Sequence, residues 1–191
     1  MTMTDGLDIV AVIGSLRRES LTRKLVTALA TLAPPSLRIE LLGVGDLDLY
    51  DEDLEAALPE PWRAFRERIR RADGVLFATP EYNRSIPGVL KNAIDVGSRP
   101  YGESVWAGKP AAVLSVSPGA LGAFGANHHL RQCLVFLDMP TLQQPEAYVG
   151  HANELLDPGG NFVDGAKREW LRQFLRAFEG WVSRQRIPLP T

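Results

Sequence analysis

The chain has 191 residues, of which 45% are hydrophobic and 23% are charged. These values are ordinary for a globular protein and predict one domain with a substantial core. The formal net charge of -2 argues against a protein that binds nucleic acid. No apolar run approaches the length of a membrane span, and the single cysteine, Cys133, suits a reducing compartment. Because no signal-peptide pattern precedes the first apolar run, we expect a cytoplasmic protein that does not contact membranes.

Strand-like and helix-like segments alternate along the sequence. Short apolar runs predict strands at 9–13, 38–42, 74–79 and 110–116, with a fifth beginning near Thr141. Apolar residues at helical spacing predict helices at 21–32, 62–72, 87–96, 126–137 and 164–184. Alternation of this kind is typical of a parallel sheet covered by helices on both faces.

The order of the strands follows from where the third strand packs. If 74–79 lies beside 9–13, the sheet has the flavodoxin-like order 2-1-3-4-5, and a ligand crevice opens between these two strands. We therefore predict an α/β fold, a three-layer sandwich with a five-stranded parallel sheet. It forms a single flavodoxin-like domain over residues 1–191, with flexible tails at 1–7 and 186–191.

The second predicted helix carries the one dense basic cluster of the sequence. Its members are Arg63, Arg66, Arg68, Arg70 and Arg71. They alternate with Glu67 and with apolar residues in a helical pattern. The pattern indicates a solvated helix face rather than a surface for nucleic acid.

A loop rich in hydroxyl groups links the first strand to the first helix. Ser15, Ser20 and Thr22 offer donors, and Arg17 supplies a permanent charge that can bind phosphate oxygens. The helix N-terminus adds unpaired N–H groups and the positive end of a dipole, so the loop predicts an anion site. The alternative is that Ser20 only caps the helix. The loop matches neither the Walker pattern nor the GxGxxG fingerprint, which disfavours nucleoside triphosphates and classical dinucleotide binding.

Two further loops follow the third and fourth predicted strands, at the edge of the sheet where α/β folds bind ligands. The first, Pro80–Gly88, combines an aromatic ring, an amide and a hydroxyl, which suits a flat polar heterocycle. The second, Ser117–Gly125, is rich in glycine, which lets the backbone approach a ligand closely. The histidines at 128, 129 and 151 have no Cys or carboxylate at ligand spacing, so we expect no metal site.

The motifs PEYNxSxPGxLKNxxD and GSxRxxSxN, the second with Thr22 in place of its Asn, resemble those of the NAD(P)H-dependent FMN reductases, which include bacterial quinone and chromate reductases. The resemblance spans residues 9–181 and implies an FMN site. In it the phosphate is held by Ser15, Arg17, Ser20 and Thr22. The flavin ring contacts Pro80, Glu81, Tyr82, Asn83 and Ser85, and the third loop closes over it with Ser117, Pro118, Gly119 and Gly122. Three positions depart from the family pattern: Thr22 for Asn, Val96 for Trp and Ala123 for Gly.

The resemblance also implies an activity. The protein would take a hydride from NADPH or NADH and pass electrons through FMN to a quinone-like or other small acceptor. No catalytic side chain is expected, because the cofactor carries the chemistry. A homodimer or homotetramer is implied, in which Arg131 and Glu146 pair either across subunits or within one chain. Three alternatives stay open: a flavodoxin-type electron carrier, a reductase that supplies free reduced flavin to a partner, and a flavin-binding regulatory module.

Overall fold

The computed structural model of the protein describes residues 6–185. In this part of the chain five parallel strands form one sheet with the order β2-β1-β3-β4-β5. The strands are β1 Leu7–Ile13, β2 Leu37–Leu42, β3 Gly74–Thr79, β4 Ala111–Val116 and β5 Ala147–Val149. The predicted fold class and the predicted strand order are confirmed.

Five α-helices connect and flank the strands within the described residues. They are α1 Leu21–Ala30, α2 Glu60–Arg71, α3 Gly88–Ser98, α4 Phe124–Phe136 and α5 Gly165–Gln185. Helices α1 and α5 pack on one face of the sheet, and α2, α3 and α4 pack on the other. Two short 3₁₀ segments, Glu52–Ala57 and Ala152–Glu154, lie in the connections after β2 and β5.

The central strands are buried on both faces, as a parallel sheet between two helical layers requires. Every residue of β3 and β4 is buried. In β3, Val75 and Phe77 face the core beneath α2, α3 and α4, whereas Leu76 and Ala78 face the core beneath α1 and α5. Burying each large apolar side chain stabilises the fold by about 1.5–3 kcal/mol, so these strands anchor both layers.

The predicted position of the fifth strand was wrong. Near its predicted start, Thr141 forms only an isolated bridge with Ala111, and β5 itself begins at Ala147. Pro145 lies between the two pairings. Proline has no N–H to donate to a strand ladder, so the regular pairing with β4 begins only after it.

The predicted tails fall largely outside the described residues. This is true of residues 186–191 and of residues 1–5. Leu7, however, was assigned to the N-terminal tail, and it is a buried residue that opens β1 and pairs with Leu37. The ordered domain therefore begins at least two residues earlier than the apolar run starting at Ile9 suggested.

The basic cluster of α2 is not the uniformly solvated face that was predicted. Arg63 and Arg71 are exposed, but the side chain of Arg66 is only 1% exposed. Its guanidinium donates hydrogen bonds to the carbonyl oxygens of Val96 and Gly97, at 3.0 and 3.3 Å, in the last turn of α3. A third bond of 2.9 Å reaches the carbonyl of Glu103. The last carbonyls of a helix lack helical partners and carry partial negative charge. The buried guanidinium of Arg66 therefore caps the C-terminus of α3.

The burial of Arg66 follows from its place on α2. It lies one turn after Trp62 and one turn before Ile69, and both of these side chains are buried in the core. Burial lowers the pKa of the guanidinium, but arginine remains charged at physiological pH. Backbone carbonyls accept the hydrogen bonds of the guanidinium, and the Glu103 carboxylate is a longer ion-pair partner at 3.9 Å.

Replacing Arg66 by Met should lower the free energy of unfolding by about 3–5 kcal/mol, because several buried carbonyl groups lose their donors. Urea denaturation at neutral pH measures this change. The matched control is Arg63→Met on the solvated side of the same helix, which should change stability by less than about 0.5 kcal/mol. Equal stabilities of the two variants would contradict the structural role given to Arg66.

Candidate functional site

Three loops meet at the carboxyl edge of the sheet, above β1, β3 and β4, where the strand order reverses. They enclose a cleft of about 290 Å³. Its lining residues come from all three loops and from the ends of α1 and β4: Ser15, Arg17, Ser20, Leu21, Thr22, Pro80, Glu81, Tyr82, Val116, Ser117 and Pro118. Ligands of open α/β sheets bind at this kind of position.

One end of the cleft has the character of an anion site. Ser15 and Thr22 are 4% and 2% exposed, and among residues 6–185 neither hydroxyl has a hydrogen-bond partner. Ser20 caps α1, since its oxygen accepts a bond of 3.2 Å from the N–H of Arg23. Capping uses the oxygen as an acceptor and leaves the Ser20 O–H free to donate, so the capping and anion-binding roles are compatible.

Arg17 completes this end of the cleft. Its side chain is exposed, lines the cleft and forms no ion pair within the described part of the chain. The first N–H groups of α1 point in the same direction, because the first turn of a helix has no internal acceptors. The arrangement offers hydroxyl donors, helix N–H groups and a guanidinium to a single anion.

The loop after β3 forms a tight turn. Tyr82 and Ser85 exchange two backbone hydrogen bonds of 3.0 Å, and the two residues between them have positive φ angles. Asn83 has φ 52° and Arg84 has φ 65°, the geometry of a type I′ turn. Asn tolerates this conformation, whereas for Arg84 it costs about 1–2 kcal/mol relative to the right-handed region. The turn directs Tyr82 towards the cleft and holds Asn83 and Ser85 outside its lining.

Glu81 has a role that the sequence did not reveal. Its carboxylate accepts a hydrogen bond of 2.9 Å from the N–H of Ala126, in the first turn of α4. Helix α4 has no side-chain cap of its own, because Ala123 stands at the capping position. Gly125 permits the close approach, since a Cβ there would lie 3.0 Å from both the Glu81 carboxylate and the Arg84 carbonyl oxygen. Glu81 thus caps α4 from another loop and ties the two segments together.

Ser85 also contacts α4 rather than the cleft. Its hydroxyl lies 2.6 Å from Nδ1 of His129. Together with the Glu81 bond, this contact fixes the turn at both of its ends. Neither His129 nor the N-terminus of α4 carries a motif that would have identified this contact from the sequence.

The loop after β4 contributes its first two residues to the cleft. Ser117 and Pro118 line it, whereas Gly119 and Gly122 do not. Gly122 has φ 60°, and a Cβ there would lie 2.6 Å from the carbonyl carbon of Tyr148. Its own carbonyl accepts a bond of 2.6 Å from the buried Ser115 hydroxyl. Gly122 therefore packs the loop against β5, a role in the architecture of the site.

Another loop, after β2, is fixed by a buried amide of α3. Asn92 accepts a bond of 2.8 Å from the N–H of Tyr50. It donates to the carbonyl oxygens of Leu47 and Asp48, at 3.2 and 3.0 Å. Val96, which departs from the family pattern, is a buried core residue whose carbonyl oxygen accepts a bond from Arg66.

Arg131 and Glu146 each have partners within the chain. Arg131 donates to the side chain of Asn127 and to the carbonyl oxygen of Leu142. Burial and a hydrogen bond with Glu146 raise the pKa of Tyr148 to about 12. Both predicted pairing residues thus have intrachain contacts, although they do not form a salt bridge with each other among residues 6–185.

Residues 6–185 contain neither a candidate metal cluster nor a membrane-spanning helix. No group of three or more His, Cys, Asp or Glu side chains between residues 6 and 185 could hold a metal ion. In the same range, no helix is long and apolar enough to cross a membrane.

Comparison with known proteins identifies the family to which the chain belongs. The family model described as NADPH-dependent FMN reductase matches residues 7–154. A quinone reductase of Pseudomonas putida is 58% identical over 185 residues, which are 96% of this chain and 99% of that protein. A 2-hydroxy-1,4-benzoquinone reductase of a Burkholderia species is 45% identical and covers 95% of this chain, with 100% of that protein matched.

A solved structure is similar to this chain in both fold and sequence. FerB, a flavoenzyme NAD(P)H:(acceptor) oxidoreductase from Paracoccus denitrificans, superimposes with a TM-score of 0.89 at 42% identity. The match covers 94% of this chain and 99% of that one. The family match includes all three loops of the cleft and confirms the resemblance predicted from the sequence, so the chain belongs to the NADPH-dependent FMN reductase family.

Proposed function

We propose that the protein is an FMN-dependent oxidoreductase that takes electrons from NAD(P)H and passes them to a quinone-like acceptor. The observation that carries this proposal is one cleft with an anion site at one end and backbone-lined loops at the other. FMN has a phosphate and a flat polar ring, and when bound it would supply the redox chemistry. The residues present fit both parts of that cofactor.

The phosphate of FMN would be bound by Ser15, Arg17, Ser20 and Thr22. Ser15 and Thr22 offer hydroxyls that bond to no other residue in the range 6–185, and Arg17 adds a charge that forms no ion pair in that range. Each charge-assisted hydrogen bond contributes about 1.5–3 kcal/mol. Thr22 retains a hydrogen-bond donor at the position where the family pattern has Asn, so the substitution is compatible with phosphate binding.

The ring of FMN would lie against the 80–85 and 117–122 loops. The N–H groups of Tyr82 and Ser85 are already used by the turn. Those of Glu81, Asn83 and Arg84 form no backbone hydrogen bond with another described residue, so they are the donors available to ring oxygens and nitrogens. Ser117 and Pro118 would support the ring by contact, while Gly119 and Gly122 shape their loop. Fixed N–H dipoles favour the extra negative charge of a reduced flavin.

The acceptor class is inferred from the relatives and from the mouth of the cleft. The names of the relatives specify quinones and, for one of them, a hydroxybenzoquinone. The ring of Tyr82 lines the cleft and is 50% exposed, which offers an apolar contact to a planar acceptor. No side chain is proposed as a catalytic acid or base.

The proposal also covers where the protein is located and how its subunits assemble. We expect a cytoplasmic homodimer or homotetramer. Large apolar side chains at Tyr101, Val135 and Phe136 are 78–90% exposed, which is consistent with contacts between subunits.

The first test is an anaerobic visible spectrum of the FMN-loaded protein before and after NADPH is added. The oxidised flavin band should bleach, and addition of a benzoquinone should restore it. A flavin that binds but stays oxidised with both NADPH and NADH would favour the electron carrier or the regulatory module. Retention of the flavin on dialysis separates a resident cofactor from a reductase that releases reduced FMN.

Replacing Arg17 by Ala should weaken FMN binding by about 10- to 150-fold, because one charge-assisted contact of about 1.5–3 kcal/mol is lost. Titration of the apoprotein with FMN, followed by quenching of flavin fluorescence, measures the dissociation constant. Arg18→Ala is the matched control, since Arg18 is also exposed but does not line the cleft. If the two variants bind FMN equally well, Arg17 does not anchor the phosphate.

A further inference from the structure

The far end of the 117–122 loop is fastened by a side chain that lies beneath it. Ser115 of β4 is 0% exposed, and its hydroxyl donates a hydrogen bond of 2.6 Å to the carbonyl oxygen of Gly122. The next residue, Ala123, has φ 60°, a conformation that is unfavourable for a residue with a side chain. The bond from Ser115 therefore holds the loop at the point where its backbone is strained.

Asn127 of α4 determines where the Ser115 hydroxyl points. The Asn127 side chain is also 0% exposed, and its Nδ2 lies 3.1 Å from Ser115 Oγ. Because Nδ2 is a donor, the Ser115 oxygen accepts this bond and its hydrogen is left for another acceptor. The carbonyl oxygen of Gly122 is that acceptor, and the carbonyl oxygen of Ala147, at 3.4 Å, is the more distant alternative.

Arg131 fixes the orientation of the Asn127 amide. If the amide turned its Oδ1 towards Ser115, the hydroxyl would donate to Asn127 and Gly122 would lose its donor. Arg131 opposes this, since its Nε donates a bond of 2.9 Å to Oδ1 and a guanidinium has no acceptor. A further bond of 3.0 Å, from Nη1 of Arg131 to the carbonyl oxygen of Leu142, holds the guanidinium in place.

The loop held in this way forms one wall of the cleft. Ser117 and Pro118, at its start, line the cleft. The N–H of Ser117 donates to the carbonyl of Val149, and the N–H of Ala152 donates to the carbonyl of Ser117, at 2.9 and 3.1 Å. The start of the loop is therefore fixed by backbone pairing with the segment around β5. Its end depends on the bond to Gly122, whose loss would free that end to move.

We propose that Ser115, Asn127 and Arg131 are positioning residues for the flavin ring. The hydrogen-bond chain from Arg131 through Asn127 and Ser115 to Gly122 sets the conformation in which the 117–122 loop meets the ring. The proposal rests on the proposed function, because that function places FMN against this loop. None of the three side chains lines the cleft, so each acts through the loop backbone. A preset loop lowers the ordering cost of binding.

The test compares two substitutions of Arg131. Arg131→Lys keeps a side chain that only donates, so the Asn127 oxygen stays engaged, whereas Arg131→Met removes the donor and frees the amide to turn. Arg131→Met should raise the dissociation constant for FMN about 2- to 10-fold, the effect of one lost hydrogen bond, and Arg131→Lys should raise it less than about twofold. Titration of the apoprotein with FMN measures both. Gln132→Met, at an exposed neighbouring position of α4, is the matched control and should bind FMN as wild type does.

A second readout does not require FMN. Amide hydrogen exchange of the apoprotein, followed by NMR, should be about 2- to 10-fold faster at Gly119 and Gly122 in Arg131→Met, with the amides of β3 as the reference for global opening. Asn127→Asp should have the same effect although it keeps a partner for Arg131. Its carboxylate only accepts, so it takes the hydrogen of Ser115 away from Gly122. The visible circular dichroism of bound FMN should change in both variants and not in Arg131→Lys.

Three results would overturn the proposal. One is an Arg131→Met variant that binds FMN and exchanges its loop amides as wild type does. Another is an Arg131→Lys variant as defective as Arg131→Met. The third is faster loop exchange with unchanged FMN affinity, because the hydrogen-bond chain would then order a loop that does not position the flavin. The proposed function fails separately: a wild-type protein that binds FMN but does not oxidise NADPH would contradict the activity and leave these affinity comparisons intact.

Discussion

The pairing of β3 between β1 and β4 is the constraint on which the rest of the structure depends. All six residues of β3 are buried, and its four apolar side chains divide between the two cores. The register places Ile13 beside Ala78 and Thr79 beside Ser115, so three strands end at one level. Their loops must then begin side by side. Gly74 allows the close packing beneath, because a Cβ there would lie 2.8 Å from the side chain of Val182.

The loops are held by contacts with neighbouring main chain, and of the three residues that make them only Glu81 also lines the cleft. Glu81 caps α4, Asn92 binds the backbone of the loop after β2, and Gly122 packs its own loop against β5. Each contact ends on main-chain atoms, so it fixes the path of a loop instead of a single side chain. Such fixation reduces the ordering cost of binding, which is how a shallow cleft can hold a flat cofactor.

The sheet could be predicted from the sequence because its strands are continuous apolar runs bounded by turn residues. The cleft residues Ser15, Arg17 and Tyr82 could be predicted because their loops follow those strands directly. Membership of a motif does not give the direction of a side chain, so the contact between the Ser85 hydroxyl and His129 could not be predicted. The burial of Arg66 depends on distant carbonyls, and the start of β5 depends on which segment meets β4. Neither the burial of Arg66 nor the start of β5 is marked by a local pattern in the sequence.

Arg66 has a consequence for how the protein would respond to salt. Its side chain is buried, and carbonyl oxygens of three residues accept its hydrogen bonds. Dissolved ions screen exposed charges strongly and buried charges much less. The joint between α2 and α3 therefore keeps its strength at an ionic strength that weakens the exposed ion pair of Arg63 with Glu60 on the same helix.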